Sequence, residues 1–140
     1  MRLKSFDEVL VALEALADRP RLGWALAHCA QSIECSVRGF PTQKAAWFQK
    51  TIGRLALSGF LRRGELSHDL TAPIPGAPPI AATTSLAEGA RRLREAIALF
   101  RGHPGAFAPH FVYGQVDRAR TEAVQAMHVA NHLSADGAMR

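Results

Sequence analysis

His128 and His132 stand four residues apart in the run Met127-His128-Val129-Ala130-Asn131-His132-Leu133. On a helix that spacing puts two imidazoles on one face, a turn apart, where both reach a single metal ion. Position 129 is Val, so the pattern lacks the built-in glutamate base of the HExxH metalloproteases. At about 100° per residue, Thr121, Val124, Gln125 and Asn131 share a sector of roughly 120° with the two histidines. Ala119, Ala123, Ala126, Ala130 and Leu133 form a ridge of small residues behind it, suited to close helix packing. Two readings of the pair stand open at this point: a metal site, or histidines exposed at the surface or satisfied in a core.

The elements that must carry this face read as helices. Alanine fills 25 of the 140 positions, mostly among Leu, Arg, Glu and Gln, the strong helix formers, which favours an all-α chain. Ser5-Phe6-Asp7-Glu8 opens a first helix as a capping box, and Phe6, Val9, Leu10, Leu13, Leu16 and Ala17 follow at helical spacing up to Asp18-Arg19-Pro20. A second helix is predicted from Arg21 to Arg38, stopped by Gly39 and Pro41. Residues 43–62 read as helical, with Ala46, Trp47, Ile52, Leu55, Ala56 and Phe60 at mixed spacing and Gly53 and Gly59 against the assignment. A long loop containing Pro73, Pro75, Pro78 and Pro79 then precedes a second capping box, Ser85-Leu86-Ala87-Glu88. That helix closes at Gly102-His103-Pro104, and Asp117 is the predicted N-cap of a last helix reaching Ser134.

Length and charge exclude several classes. A chain of 140 residues fits one domain, 1–140, and is too short for a separate nucleotide-binding half. With 48% hydrophobic and 21% charged residues it should fold rather than remain disordered. Its 17 basic and 12 acidic residues are spread along the chain, with short clusters only at Arg62-Arg63 and Arg91-Arg92, so no nucleic-acid partner is expected. Asp7, Glu8 and Glu14 interrupt any apolar leader, and no run approaches the ~18 apolar residues of a membrane span. The expectation is a soluble, cytoplasmic protein with no membrane partner. Cys29 and Cys35 lie about 9 Å apart along their helix, too far for a disulfide, and read as buried thiols.

Three segments together resemble the DinB-like (YfiT-like) metal-binding four-helix bundles, in particular a subset known only as a domain of unknown function. They are Leu26-Ala27-His28-Cys29-Ala30-Gln31-Ser32-Ile33-Glu34, Pro73-Ile74-Pro75-Gly76-Ala77-Pro78, and the run from Met127 to Leu133. The resemblance covers nearly the whole chain. It implies that His28 joins His128 and His132 around a divalent metal, zinc or nickel foremost, with iron also suited. The Gln that follows the His pair in many relatives is replaced here by Ala135.

That ligand set makes a topological demand. His28 lies early in its helix and the His pair late in the last one, so the two helices must run in opposite directions for the rings to meet. The helix opened by Ser85 then runs parallel to the second, which requires a crossover along the bundle. Residues 39–84 supply it, and the predicted order is up-down-down-up. The proline-rich loop ends on the metal side, which makes His68 a candidate fourth ligand or acid/base and Pro73 to Pro79 a lid. His103 and His110 are expected at the far end, in structural or exposed positions. Gln31, Glu34 and Asn131 are candidates to support the ligands from behind.

Three imidazoles leave an open position on the ion, where a water or an incoming thiol ionises. The resemblance implies a metal-dependent enzyme, with transfer of a low-molecular-weight thiol, thiol-dependent isomerisation or hydrolysis as its chemistry and a small molecule as its substrate. The alternative is a non-catalytic bundle that binds metal or ligand, or forms a homodimer through the Ala ridge or the Trp47 segment.

Overall fold

The computed structural model describes residues 1–135, and its regular elements are helices, with one isolated bridge between His110 and Gly114. Helix α1 spans Phe6–Leu13, α2 Leu22–Arg38, α3 Ala46–Phe48, α4 Arg54–Arg63, α5 Leu86–Gly102 and α6 Arg118–Ala135. A π-helical segment, Gln49–Gly53, joins α3 to α4 without a break.

The caps are those the sequence encodes. Ser5 Oγ accepts from the Glu8 amide at 3.3 Å and Ser85 Oγ from the Glu88 amide at 3.1 Å. Asp117 Oδ1 accepts from the Arg120 amide at 2.8 Å. Each meets one of the donors that the first helical turn leaves without a partner. Glu8 reaches back to the Lys4 amide rather than to Ser5, at 2.6 Å. Helix α1 stops at Leu13, short of the expected Asp18. Leu16 is half-buried and packs against the core from beyond the helix end, so the apolar stripe outlasts the helix.

The main core lies between α1, α2, α5 and α6. Leu22, Leu26, Ile33, Leu93, Ile97, Val129 and Leu133 are almost wholly buried in it. Phe100 closes one end, edge-on to Phe6 at 4.9 Å and stacked on Phe107 at 4.2 Å. Burial of each such side chain stabilises the fold by about 1.5–3 kcal/mol before entropy is counted.

Glycines set the approach of α2 to α5. A Cβ on Gly23 would overlap the carbonyl oxygens of Thr84 and Ser85, and one on Gly89 would overlap the carbonyl of Gly23. The two helices therefore touch backbone to backbone near their N-termini, a contact closed to any larger residue. Farther along, Arg92 forms a two-pronged ion pair with Glu34, at 2.7 and 3.0 Å. Helix α6 lies against α2 in the opposite sense: His132 faces His28, and Gln125 Nε2 donates to the carbonyl of Ser32, farther along α2, at 3.4 Å.

The segment α3 to α4 turns a different face inward from the one its apolar spacing suggests. Trp47, Ile52 and Leu55 are exposed, whereas Gly53 and Leu57 are buried and Ala56, Phe60 and Leu61 are partly covered. The π turns account for the offset, because each widens the helix by about one residue per turn and rotates the residues that follow. Gly53 packs on the carbonyl of Val112, where a Cβ would overlap it. Gln49 Nε2 lies within hydrogen-bond distance of the carbonyls of His110 and Phe111, at 3.4 and 3.2 Å. The π segment thus anchors the loop between α5 and α6.

Candidate metal centre

Four imidazoles converge between α2, α6 and the loop after α4. His28 comes from the second turn of α2, His128 and His132 from successive turns of α6, and His68 from the loop. Ring centroids are 5.1 Å apart for His28 and His128, 5.2 Å for His28 and His132, and 4.9 Å for His128 and His132. His68 lies 4.7 Å from His128 and 5.2 Å from His132. One nitrogen from each of the four rings lies within 4.8 Å of all the others. Around a tetrahedral ion with bonds of about 2.0–2.1 Å the donors sit roughly 3.4 Å apart, so each ring need move less than about 1 Å to bind.

The rings are held in place from outside. Trp24, one turn before His28, stacks flat on it at 5.1 Å with 3° between the planes. Asn131 lies beside His68, its amide nitrogen 2.6 Å from His68 Nδ1. Asp69 Oδ1 accepts from both the amide and the hydroxyl of Thr71, at 2.9 and 2.7 Å, and fixes the turn that presents His68.

Burial decides the charge of the cluster. His28, His128 and His132 are nearly inaccessible, at 3%, 8% and 1% exposure, and His68 is half-buried. Loss of hydration, reinforced by the neighbouring imidazoles, lowers His28 to about 4 and His132 to about 3. It holds His128 well below the usual range. His68 is lowered too, chiefly by burial and in spite of Asp69. Four rings that stay neutral at neutral pH are in the form that binds metal.

Three nitrogens in this cluster are buried without a hydrogen-bond partner: His28 Nδ1, His68 Nε2 and His132 Nε2. An unpaired buried polar atom costs about 1–3 kcal/mol. Three such atoms within one cluster of imidazoles fit a cation, since a metal ion satisfies lone pairs that no protein donor reaches. Donors that are all imidazole suit zinc, nickel, copper or iron.

A cavity of about 230 Å³ opens beside the cluster. His28, His68 and His128 line it together with apolar residues of the proline-rich loop, the α5–α6 loop and α6. Pro73 and Ile74 form part of its wall.

Other expected residues lie elsewhere. Gln31 Nε2 donates to the carbonyl of Pro78 at 2.9 Å and so ties α2 to the loop. Glu34 pairs with Arg92, on the side of α2 that faces α5. Neither placement supports an imidazole: on α2 both residues point toward α5 and the loop, while His28 points toward α6. His103 does lie away from the cluster, with Nε2 3.0 Å from the carbonyl of Ala106. His110 does not, because it lines the cavity with His28 and His128, and its expected far-end position is corrected. The bridge from His110 to Gly114 folds this loop back over the cavity, with Gly114 in the left-handed region at φ 74°. The only trace of this in the sequence is the aromatic run His110-Phe111-Val112-Tyr113 closed by a glycine. Cys29 and Cys35 are buried and not joined by a disulfide.

Residues 12–135 match a family described as Protein of unknown function (DUF1569). The chain belongs to this DUF1569 family. No curated protein and no solved structure matches it. The match takes in the four clustered histidines of the DUF1569 chain, the proline-rich loop and the loop that carries His110. Among the described residues of this DUF1569 member, no helix is long and apolar enough to cross a membrane.

Proposed function

We propose that this chain is a metal-dependent enzyme of DinB-like architecture, in which His28, His128 and His132 hold a divalent ion such as zinc or nickel. The observation that carries this reading is the convergence of four neutral imidazoles, three of which bury a ring nitrogen without a partner. The architecture proposed is a single up-down-down-up four-helix bundle of α1, α2, α5 and α6. Support for it comes from the parallel approach of α2 and α5 at Gly23 and Gly89 and from the antiparallel facing of His28 and His132.

In this reading the histidines have different duties. The three on helices sit in a close-packed frame and supply the permanent ligands. His68 stands on a loop, half-buried, and fills or vacates the fourth position as a small molecule enters the adjoining cavity. A bound ion supplies Lewis acidity, lowering the pKa of a water or thiol that reaches it. The chain itself excludes bulk water, through the Pro73–Ile74 wall, and keeps the ligands unprotonated.

Metal analysis of the untagged protein tests the proposal. One ion per chain is expected, with loss of the metal in His28→Ala, His128→Ala and His132→Ala while the helical signal persists. His68→Ala should retain the ion at lower affinity. A folded wild-type protein that takes up no stoichiometric divalent metal would overturn the reading. Metal uptake in a chain that turns over no thiol or hydrolytic substrate would reduce it to a metal-binding bundle.

A further inference from the structure

The cavity beside the histidines has walls whose surface is mostly apolar. Leu66, Pro73, Ile74, Phe111, Tyr113 and Val124 supply much of its surface. Among the described residues, no lysine or arginine lines it. Asp69 is its one acidic group, and its Oδ1 already accepts from the amide and the hydroxyl of Thr71. Tyr113 is pushed up to about 12 by burial and stays a neutral phenol.

Hydrogen-bonding capacity in the walls is limited to a few groups. Ser32 and Gln125 line one side. His110 Nδ1 accepts from the amides of Val112 and Tyr113, at 3.0 and 3.3 Å, so the neutral ring carries its proton on Nε2. The ring is held between Tyr113, stacked at 4.3 Å, and Phe40 at 5.0 Å. These groups suffice to orient one polar function on an otherwise apolar ligand.

The geometry points to a small, uncharged, largely apolar molecule as the occupant of this cavity, with its polar head toward the histidine cluster and its body against Ile74, Phe111 and Val124. The placement of the head rests on the metal reading above; the apolar body does not. Size follows from volume: a dry cavity of about 150 Å³ accepts benzene, so this one accommodates about nine non-hydrogen atoms. A thiol bearing carboxylates, of the tripeptide kind, is a poor match. Its anionic groups would lose hydration with no cation to receive them, and would enter past Asp69.

The matched probes are 5-methylhexane-1-thiol and 5-mercaptopentanoate, isosteres that both fall within the size limit, titrated into protein loaded with cobalt(II) and followed by the visible spectrum. The neutral thiol should bind at least about tenfold more tightly, in line with the penalty for an unpaired buried charge. Ala72→Lys places a cation at the exposed rim of the cavity and should narrow or reverse the preference within the matched pair. Equal or tighter binding of the anionic thiol by the wild type would overturn the inference, as would an Ala72→Lys protein that discriminates as the wild type does. Metal content measured beforehand separates the two proposals. If no metal binds, the proposed function fails, and toluene against benzoate, read by chemical-shift changes of the Val124 and Ile74 methyl groups, decides the cavity by itself: toluene alone should shift them, and shifts with benzoate alone or with neither would overturn it.

Discussion

Asn131 sits one residue before His132, yet its side chain meets a different histidine: its amide nitrogen lies 2.6 Å from Nδ1 of His68. This contact has two proton arrangements. In one, the amide NH2 donates to a bare Nδ1, and the proton of the His68 ring lies on Nε2. In the other, the amide oxygen accepts from Nδ1–H and leaves the Nε2 lone pair free. Only the second lets His68 bind a metal through the buried Nε2, and metal-bound histidines are commonly oriented by an acceptor in this way.

Asn131→Ala is therefore expected to weaken metal binding by about 10–100-fold, the usual effect of losing such a partner. Asn131→Asp, which can only accept, should bind at least as tightly as the wild type. Competition against a chromophoric chelator reads both. Equal affinities in all three proteins would separate Asn131 from the centre.

The metal-free protein should lose stability as the pH falls. His28 titrates near 4 and His132 near 3 in the folded chain, against about 6.5 when unfolded. Between those values the unfolded state binds more protons, so stability is fully present above about pH 6.5 and declines as pH falls toward 4. At about 1.4 kcal/mol per pKa unit, His28 alone accounts for a loss on the order of 3 kcal/mol. Urea unfolding from pH 7.5 down to pH 4 checks the slope. Because the rings are already neutral, metal affinity should stay nearly level from pH 7 to pH 5.5, where exposed histidines would show a steep fall.

Gly23→Ala and Gly89→Ala should each destabilise the chain by about 1–3 kcal/mol or more, because the added methyl would have to displace backbone carbonyls rather than a flexible side chain. Thermal unfolding of the two variants gives the cost. Gly102→Ala is the control: nothing lies within 4 Å of a Cβ there, so its midpoint should rise or stay level.

Glu34→Ala should separate stability from metal binding. It breaks a partly buried, two-pronged pair with Arg92, and a loss of about 1–3 kcal/mol is expected. Metal affinity should change less than about twofold, since Glu34 stands on the α5 side of α2. A tenfold drop in affinity would return Glu34 to the support of the ligands.

Much of the helical layout was legible in the chain. Ser5, Ser85 and Asp117 cap helices as their sequence contexts indicate, because capping depends on neighbours within one turn. The spacing of His128 and His132 put them on one face for the same local reason. The segment from Ala46 to Arg63 is legible as helical, but its inward face is not, because the π turns of Gln49–Gly53 shift the register. The place of His110 beside the cavity is not legible in the chain, since a loop's return path depends on what it packs against. Gln49, sixty-one residues away, holds its carbonyl.

The sequence by itself determined an all-helical chain, the ends of most of its helices, and a histidine pair on one helical face. These are effects of range one to four residues. Only the tertiary structure decided that His28 and His68 meet that pair, that three of the four rings bury a nitrogen without a partner, and that His110 and the proline-rich loop enclose a cavity beside them. Convergence of groups from residues 28, 68 and 132 depends on how α2, α6 and the loop after α4 pack together, and no spacing within one turn of a helix encodes that.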